Sequence, residues 1–182
     1  MKRSIILGLF LGAAMLFACN DKATTTDSTA TTSTDNTDQS KQMLESNRKV
    51  LKAIETGDSA TIRQYISEDA TDHGAGENGA DMKGADIIKM LTDVHNHIDN
   101  LKFEVVQEAA NGDHLFCLAR MTGKVKDPVW GMPAGMQADM TSVDVIRVKD
   151  GKMVDHWNYV SPADMMKMMP PPPPPPTSAA KK

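Results

Sequence analysis

Residues 140–160 read MTSVDVIRVKDGKMVDHWNYV, two runs of alternating apolar and polar residues on either side of Asp150-Gly151. An Asp-Gly pair between alternating runs signals a β-hairpin, because both central positions of the tightest turn need positive φ. The position of the turn decides which side chains meet, since a slip of one residue moves all of them to the other face of the sheet. A two-residue turn pairs Lys149 with Lys152 and sets Asp144 opposite Trp157. A three-residue loop, Lys149-Asp150-Gly151, pairs Val148 with Lys152, Asp144 with His156 and Ser142 with Asn158.

Working outward, the period of two extends over four strand candidates, Leu101–Ala109, His114–Thr122, Ala138–Val148 and Lys152–Val160, with Asn111-Gly112 as a second turn. Before Asn100 the period is helical. Leu44, Val50, Leu51 and Ile54 mark a first helix that Gly57 stops, and Asp58 caps a second containing Ile62, Tyr65 and Ile66. A third spans Ala85 to Ile98, with Ile87, Ile88, Leu91, Val94 and Ile98 on one face. Helices first and antiparallel strands afterwards predict an α+β domain with the helices packed on one face of a curved sheet.

That domain occupies residues 41–169 and carries 15 basic and 20 acidic side chains. The whole chain of 182 residues has a formal net charge of −4. Such a balance offers no basic footprint for a phosphate backbone, so no nucleic-acid partner is expected. Residues 1–18 read as a secretory signal: Lys2-Arg3, an apolar run too short to span a bilayer, and a small residue before Cys19. From Lys22 to Ser40, 11 of 19 residues are Thr or Ser, too polar to bury a core, which predicts a tether over residues 19–40. At the other end, seven prolines from Pro170 to Pro176 form a polyproline rod about 20 Å long, a spacer or a ligand for an aromatic groove.

Leu16-Phe17-Ala18-Cys19 resembles the lipobox of bacterial lipoproteins. The resemblance implies acylation of Cys19, a lipid anchor in the membrane and a place in the bacterial cell envelope. The order of elements, the Gly57-Asp58 break, the loop from Gly131 to Gly135 and the segment from Asp144 to Trp157 resemble the SnoaL-like polyketide cyclases, or ester cyclases, of the NTF2-like superfamily. That resemblance implies a cone-shaped α+β barrel holding a small hydrophobic ligand, with two copies packed through the outer sheet face as a homodimer. Met153, Trp157 and Tyr159 alternate on the face assigned to that contact.

The family also suggests Asp72, His73, Ser142, His156 and Asn158 around the interior, with Trp130 on a loop over the mouth. Because the three-residue loop collects Asp144, His156, Ser142 and Asn158 on the cavity side, it is the register expected. A carboxylate facing the core is costly unless paired, and burial would raise its pKa. Asp144 is therefore either a general acid or base with His156, or an ion-paired anchor. The aldol-condensing cyclases carry an acid/base aspartate where this chain has Asn158, and an amide does not exchange a proton at neutral pH. Two functions follow: binding of a small apolar or amphipathic molecule, or acid/base catalysis by Asp144 and His156 on a carbonyl compound. No metal site and no cofactor is expected. Cys117 stands alone in the body, and His95 and His97, about 200° apart on a helix, cannot chelate one ion. His95 falls on the apolar face as a hydrogen-bonded core residue, and His97 points outward. Met132, Met136 and Met140 read as core fillers near the mouth.

Overall fold

The computed structural model describes residues 34–168, with side chains from residue 37. The signal segment, Cys19, most of the tether and the proline run lie outside the described residues. Helix α1 (Thr34–Thr56) begins inside the stretch read as tether, where Asp38 suits the positive end of the helix dipole. Gly57 ends it at φ +70°, and the His95 ring occupies the space a side chain there would need. Helix α2 (Ser59–Tyr65) follows, its first backbone N–H groups donating to the Asp58 carboxylate at 3.1 and 3.2 Å.

Strand β1 (Ile66–Asp72) and the two-residue β2 (Met82–Lys83) were not legible in the hydrophobic period. Ile66 opens β1 rather than ending α2. Helix α3 (Gly84–Asp93) stops short of the expected Ile98; a single 3₁₀ turn (Val94–Asn96) follows and Ile98 opens β3 (Ile98–Asn111). The residues read as its apolar face are inside nonetheless, because Val94 and Ile98 reach the same core from the turn and the strand. The remaining elements match the expected strands within three residues: β4 (His114–Val125), β5 (Gln137–Lys149) and β6 (Lys152–Val160). A short helix α4 (Pro162–Met168) ends the described chain. Among the described residues, no helix is long and apolar enough to cross a membrane.

The six strands form one curved sheet in the order β2-β1-β6-β5-β4-β3. All pairings are antiparallel except β1 with β6, which is parallel. The helices cover one face. Ile54, Ile62, Ile87 and Ile88 meet Leu101, Met121, Met132 and Met140 in the main core, and Met43 of α1 joins Leu115, Cys117 and Ala119 in a smaller one. Met132 is fully buried and Met136 is packed on the same core, as read.

The expected register of β5 and β6 is corrected. Lys149 pairs with Lys152 across a two-residue turn whose central residues, Asp150 and Gly151, both have positive φ (52° and 74°). A turn of that kind matches the twist of the flanking strands, which a three-residue loop is not needed to supply. The register then shifts: Val148 pairs with Met153 and Arg147 with Asp155, leaving Val154 as a bulge. Beyond it Ile146 is opposite His156 and Asp144 opposite Asn158. Two one-residue differences from the expectation cancel in parity, so Ser142, Asp144, His156 and Asn158 still share the inner face. Met153 does not share a face with Trp157 and Tyr159, because the bulge lies between them; it packs against the main core.

Candidate functional site

Each polar side chain of the inner cluster is placed by one strand. Asp72 ends β1, His156 pairs with it in β6, and Asp144 lies across in β5, diagonal to His156. The imidazole bridges the two acids: Nδ1 lies 2.8 Å from Asp72 Oδ1 and Nε2 lies 3.1 Å from Asp144 Oδ1. Asn158 Nδ2 donates to the same Asp144 oxygen at 2.7 Å. The side chains of His156, Asp72 and Asp144 are 19%, 7% and 16% exposed. A neutral imidazole has one N–H and cannot donate to two carboxylates at once; the imidazolium has two. Burial alone would push His156 down, but the hydrogen bonds and charges of Asp144 and Asp72 outweigh it and raise the pKa to about 9.

His73, expected beside Asp72, stands on the opposite face because neighbouring residues in an extended chain alternate. Its Nε2 lies 3.0 Å from Asp155 Oδ1, its ring stacks on Trp157 at 4.5 Å, and Arg147 Nε donates to Asp155 Oδ2 at 2.9 Å. Asp81 Oδ2 approaches Nδ1 at 3.3 Å. Burial opposes ionisation of Asp155, yet the hydrogen bonds from His73 and Arg147 hold its carboxyl below the usual range. The dipeptides Asp72-His73 and Asp155-His156 thus cross-pair, Asp72 with His156 inside and His73 with Asp155 outside. Their repetition in the sequence was the available signal for Asp155, which was not singled out.

Ser142 lies on the inner face opposite Val160. Trp130 has φ +50° and is half-buried against the main core. Cys117 is buried on the inner face beside Asn47, and burial pushes its thiol up to about 11, far from a reactive thiolate. His95 is half-buried and its Nδ1 donates to Thr92 O (2.7 Å), while His97 meets Asp93 at 3.1 Å on the outside. Among the described residues no three His, Cys, Asp or Glu side chains are arranged to hold a metal ion. Asp144 Oδ2 has no protein partner among the described residues, so one carboxylate oxygen remains free to meet a ligand.

The fold is shared with solved structures. IdmH of Streptomyces antibioticus, assigned as a polyketide cyclase, is 22% identical, with a TM-score of 0.58 over 70% of this chain and 97% of its own. A SnoaL-like protein from Jannaschia sp. CCS1 is 18% identical, with a TM-score of 0.59 over 72% and 95% of the two chains. An LEH-like epoxide hydrolase of M. tuberculosis is 14% identical, with a TM-score of 0.57 over 71% and 90%. At these identities the likeness concerns the fold. No curated protein matches the chain in sequence. The family model for SnoaL-like polyketide cyclases matches residues 42–169, from the inner half of α1 past the end of α4, and so takes in every strand and the whole inner cluster; the chain belongs to the SnoaL-like polyketide cyclase family.

Proposed function

We propose that this protein is a lipid-anchored SnoaL-like domain that binds a small apolar or amphipathic molecule against the inner face of its sheet. The observation that carries this reading is the arrangement at Asp144: Oδ1 is engaged by His156 and Asn158, and Oδ2 is not engaged. A preset carboxylate beside apolar side chains suits a ligand that brings a hydroxyl or amine donor into an apolar setting. Acid/base catalysis is the weaker alternative, because the two functions need different things of His156. A base near neutrality needs a free ring nitrogen, and here both are tied to carboxylates. Native mass spectrometry of the full chain purified from its own host is expected to retain a small molecule. In titrations with 1-naphthol, an aromatic hydroxyl probe, Asp144→Asn is expected to weaken binding about tenfold, the loss of one charge-assisted hydrogen bond. Equal affinity for the two proteins would remove Asp144 from the site.

Anchoring rests on the Leu16-to-Cys19 run. Cys19→Ser is expected to move the protein from the membrane to the soluble fraction, and continued sedimentation with membranes at unchanged yield would overturn the anchor.

A second copy is the partner proposed for the outer sheet face. Phe116 and Tyr159 there are 42% and 59% exposed, with Val143 between them and Trp157 alongside. Contiguous apolar surface of this kind is stabilised by a partner. The full chain at micromolar concentration is expected to sediment as a dimer, and Tyr159→Lys as a monomer; a monomeric wild type would sink the proposal.

A further inference from the structure

A cavity of about 380 Å³ lies between the middle of α1 and the turn end of the β5–β6 hairpin. It is separate from the inner polar cluster, since neither Asp72, Asp144, His156 nor Asn158 lines it. Its apolar walls are mostly aliphatic, Met43 and Val50 from α1, Leu115 from β4, Ile146 and Val148 from β5 and Met153 from β6, with Tyr65 and Ile66 at the α2–β1 junction. Two of these positions face it for reasons traced above. The two-residue turn sets Val148 opposite Met153, and the Val154 bulge keeps Met153 on the inner side while the strand beyond it carries the charged residues.

The lining also holds Asn47. It is 8% exposed, and its Nδ2 has no hydrogen-bond partner of good geometry among the described residues, the neighbouring Cys117 thiol being only a weak acceptor. A buried amide donor left unpaired is costly and calls for an acceptor. At the rim stand Glu45 and Asp150 against a single Lys49, so the local field disfavours an anionic head. The volume falls within the range of small-molecule sites.

We infer that this groove is a second ligand site, for one aliphatic chain that ends in an uncharged acceptor such as an ester, amide or alcohol. Methionine supports the assignment chemically, because unbranched thioether chains adapt to a mobile hydrocarbon better than branched ones. The site stands independently of the reading of Asp144.

The test is a titration of the full chain, labelled with ¹³C at the methionine methyls, with monodecanoin as the neutral probe and decanoate as its anionic counterpart. The expected result is saturable shifts of the Met43 and Met153 methyls with monodecanoin while Met140 stays in place. Decanoate should bind at least about tenfold more weakly. Two variants narrow the groove from different walls, Val148→Phe on the strand and Ser46→Trp on the helix, and each should reduce monodecanoin affinity about tenfold or more. Unmoved Met43 and Met153 methyls, or shifts confined to Met140, overturn the groove as a site. Decanoate binding as tightly as monodecanoin overturns the uncharged head. Neither failure bears on 1-naphthol binding at Asp144, which is read by a different variant.

Discussion

His156→Ala is expected to cost about 3 kcal/mol or more at neutral pH, because it leaves two largely buried carboxylates, Asp72 and Asp144, facing each other without the cation between them. The same group makes stability depend on pH. Its folded pKa, about 9, lies above the ordinary 6.5, so the protonated form is the one the fold favours. Its contribution is therefore fully present below about pH 6.5 and is lost as pH rises through about 9. A shift of this size corresponds to about 3 kcal/mol between those limits. Urea unfolding of the full chain at pH 6 and pH 9 measures the loss, and His156→Gln should remove most of the pH dependence in that window, the buried Cys117 thiol adding its own loss only at higher pH. NMR titration gives the direct check: His156 should titrate near pH 9, and Asp144→Asn should bring it down. An imidazole titrating near 6.5 would mean that the two carboxylates do not hold the ring as a cation.

Gly84→Ala is expected to be more damaging still, by at least about 3 kcal/mol, although alanine is the better helix former by roughly 1 kcal/mol. The residue is buried at the first turn of α3, and a side-chain carbon there would overlap the Glu68 carbonyl group of β1. Backbone against backbone leaves no flexible side chain to move aside. The helix would have to lift from β1, which carries Asp72, and the inner cluster would loosen with the core. Thermal unfolding and the His156 titration together check this: a lower midpoint should come with a His156 pKa moved toward 6.5. A variant as stable as the wild type would mean that α3 does not pack against β1 at this distance.

The two expectations meet at β1, the element that periodicity did not reveal. Residues 66–72, ISEDATD, show neither an alternating pattern nor a β-branched run, and they follow directly on a capped helix. The strand exists because β6 accepts it in parallel on one side and β2 pairs with it on the other. A pairing between residues more than eighty positions apart leaves little local mark. For the same reason, the sequence could suggest Asp72 and His73 as a neighbouring pair, but only the strand sends them to opposite faces.

The sequence by itself determined the α+β order, the helix stop at Gly57, the cap at Asp58, the hairpin at Asp150-Gly151, and the alternation that puts Ser142 with Asp144 on one face of their strand and His156 with Asn158 on one face of the next. These are local matters of backbone conformation and alternation within a few residues. Only the tertiary structure decided that the hairpin turn has two residues, that Val154 bulges to restore the parity, and that Asp144 meets His156 diagonally rather than directly. It also decided that Asp72 completes the clamp on the imidazole and that α1 leaves an aliphatic groove beside the hairpin. The physical reason is that a bulge or a parallel neighbour is selected by what the whole sheet and its covering helices can bury, and no stretch of seven or ten residues carries that balance within itself.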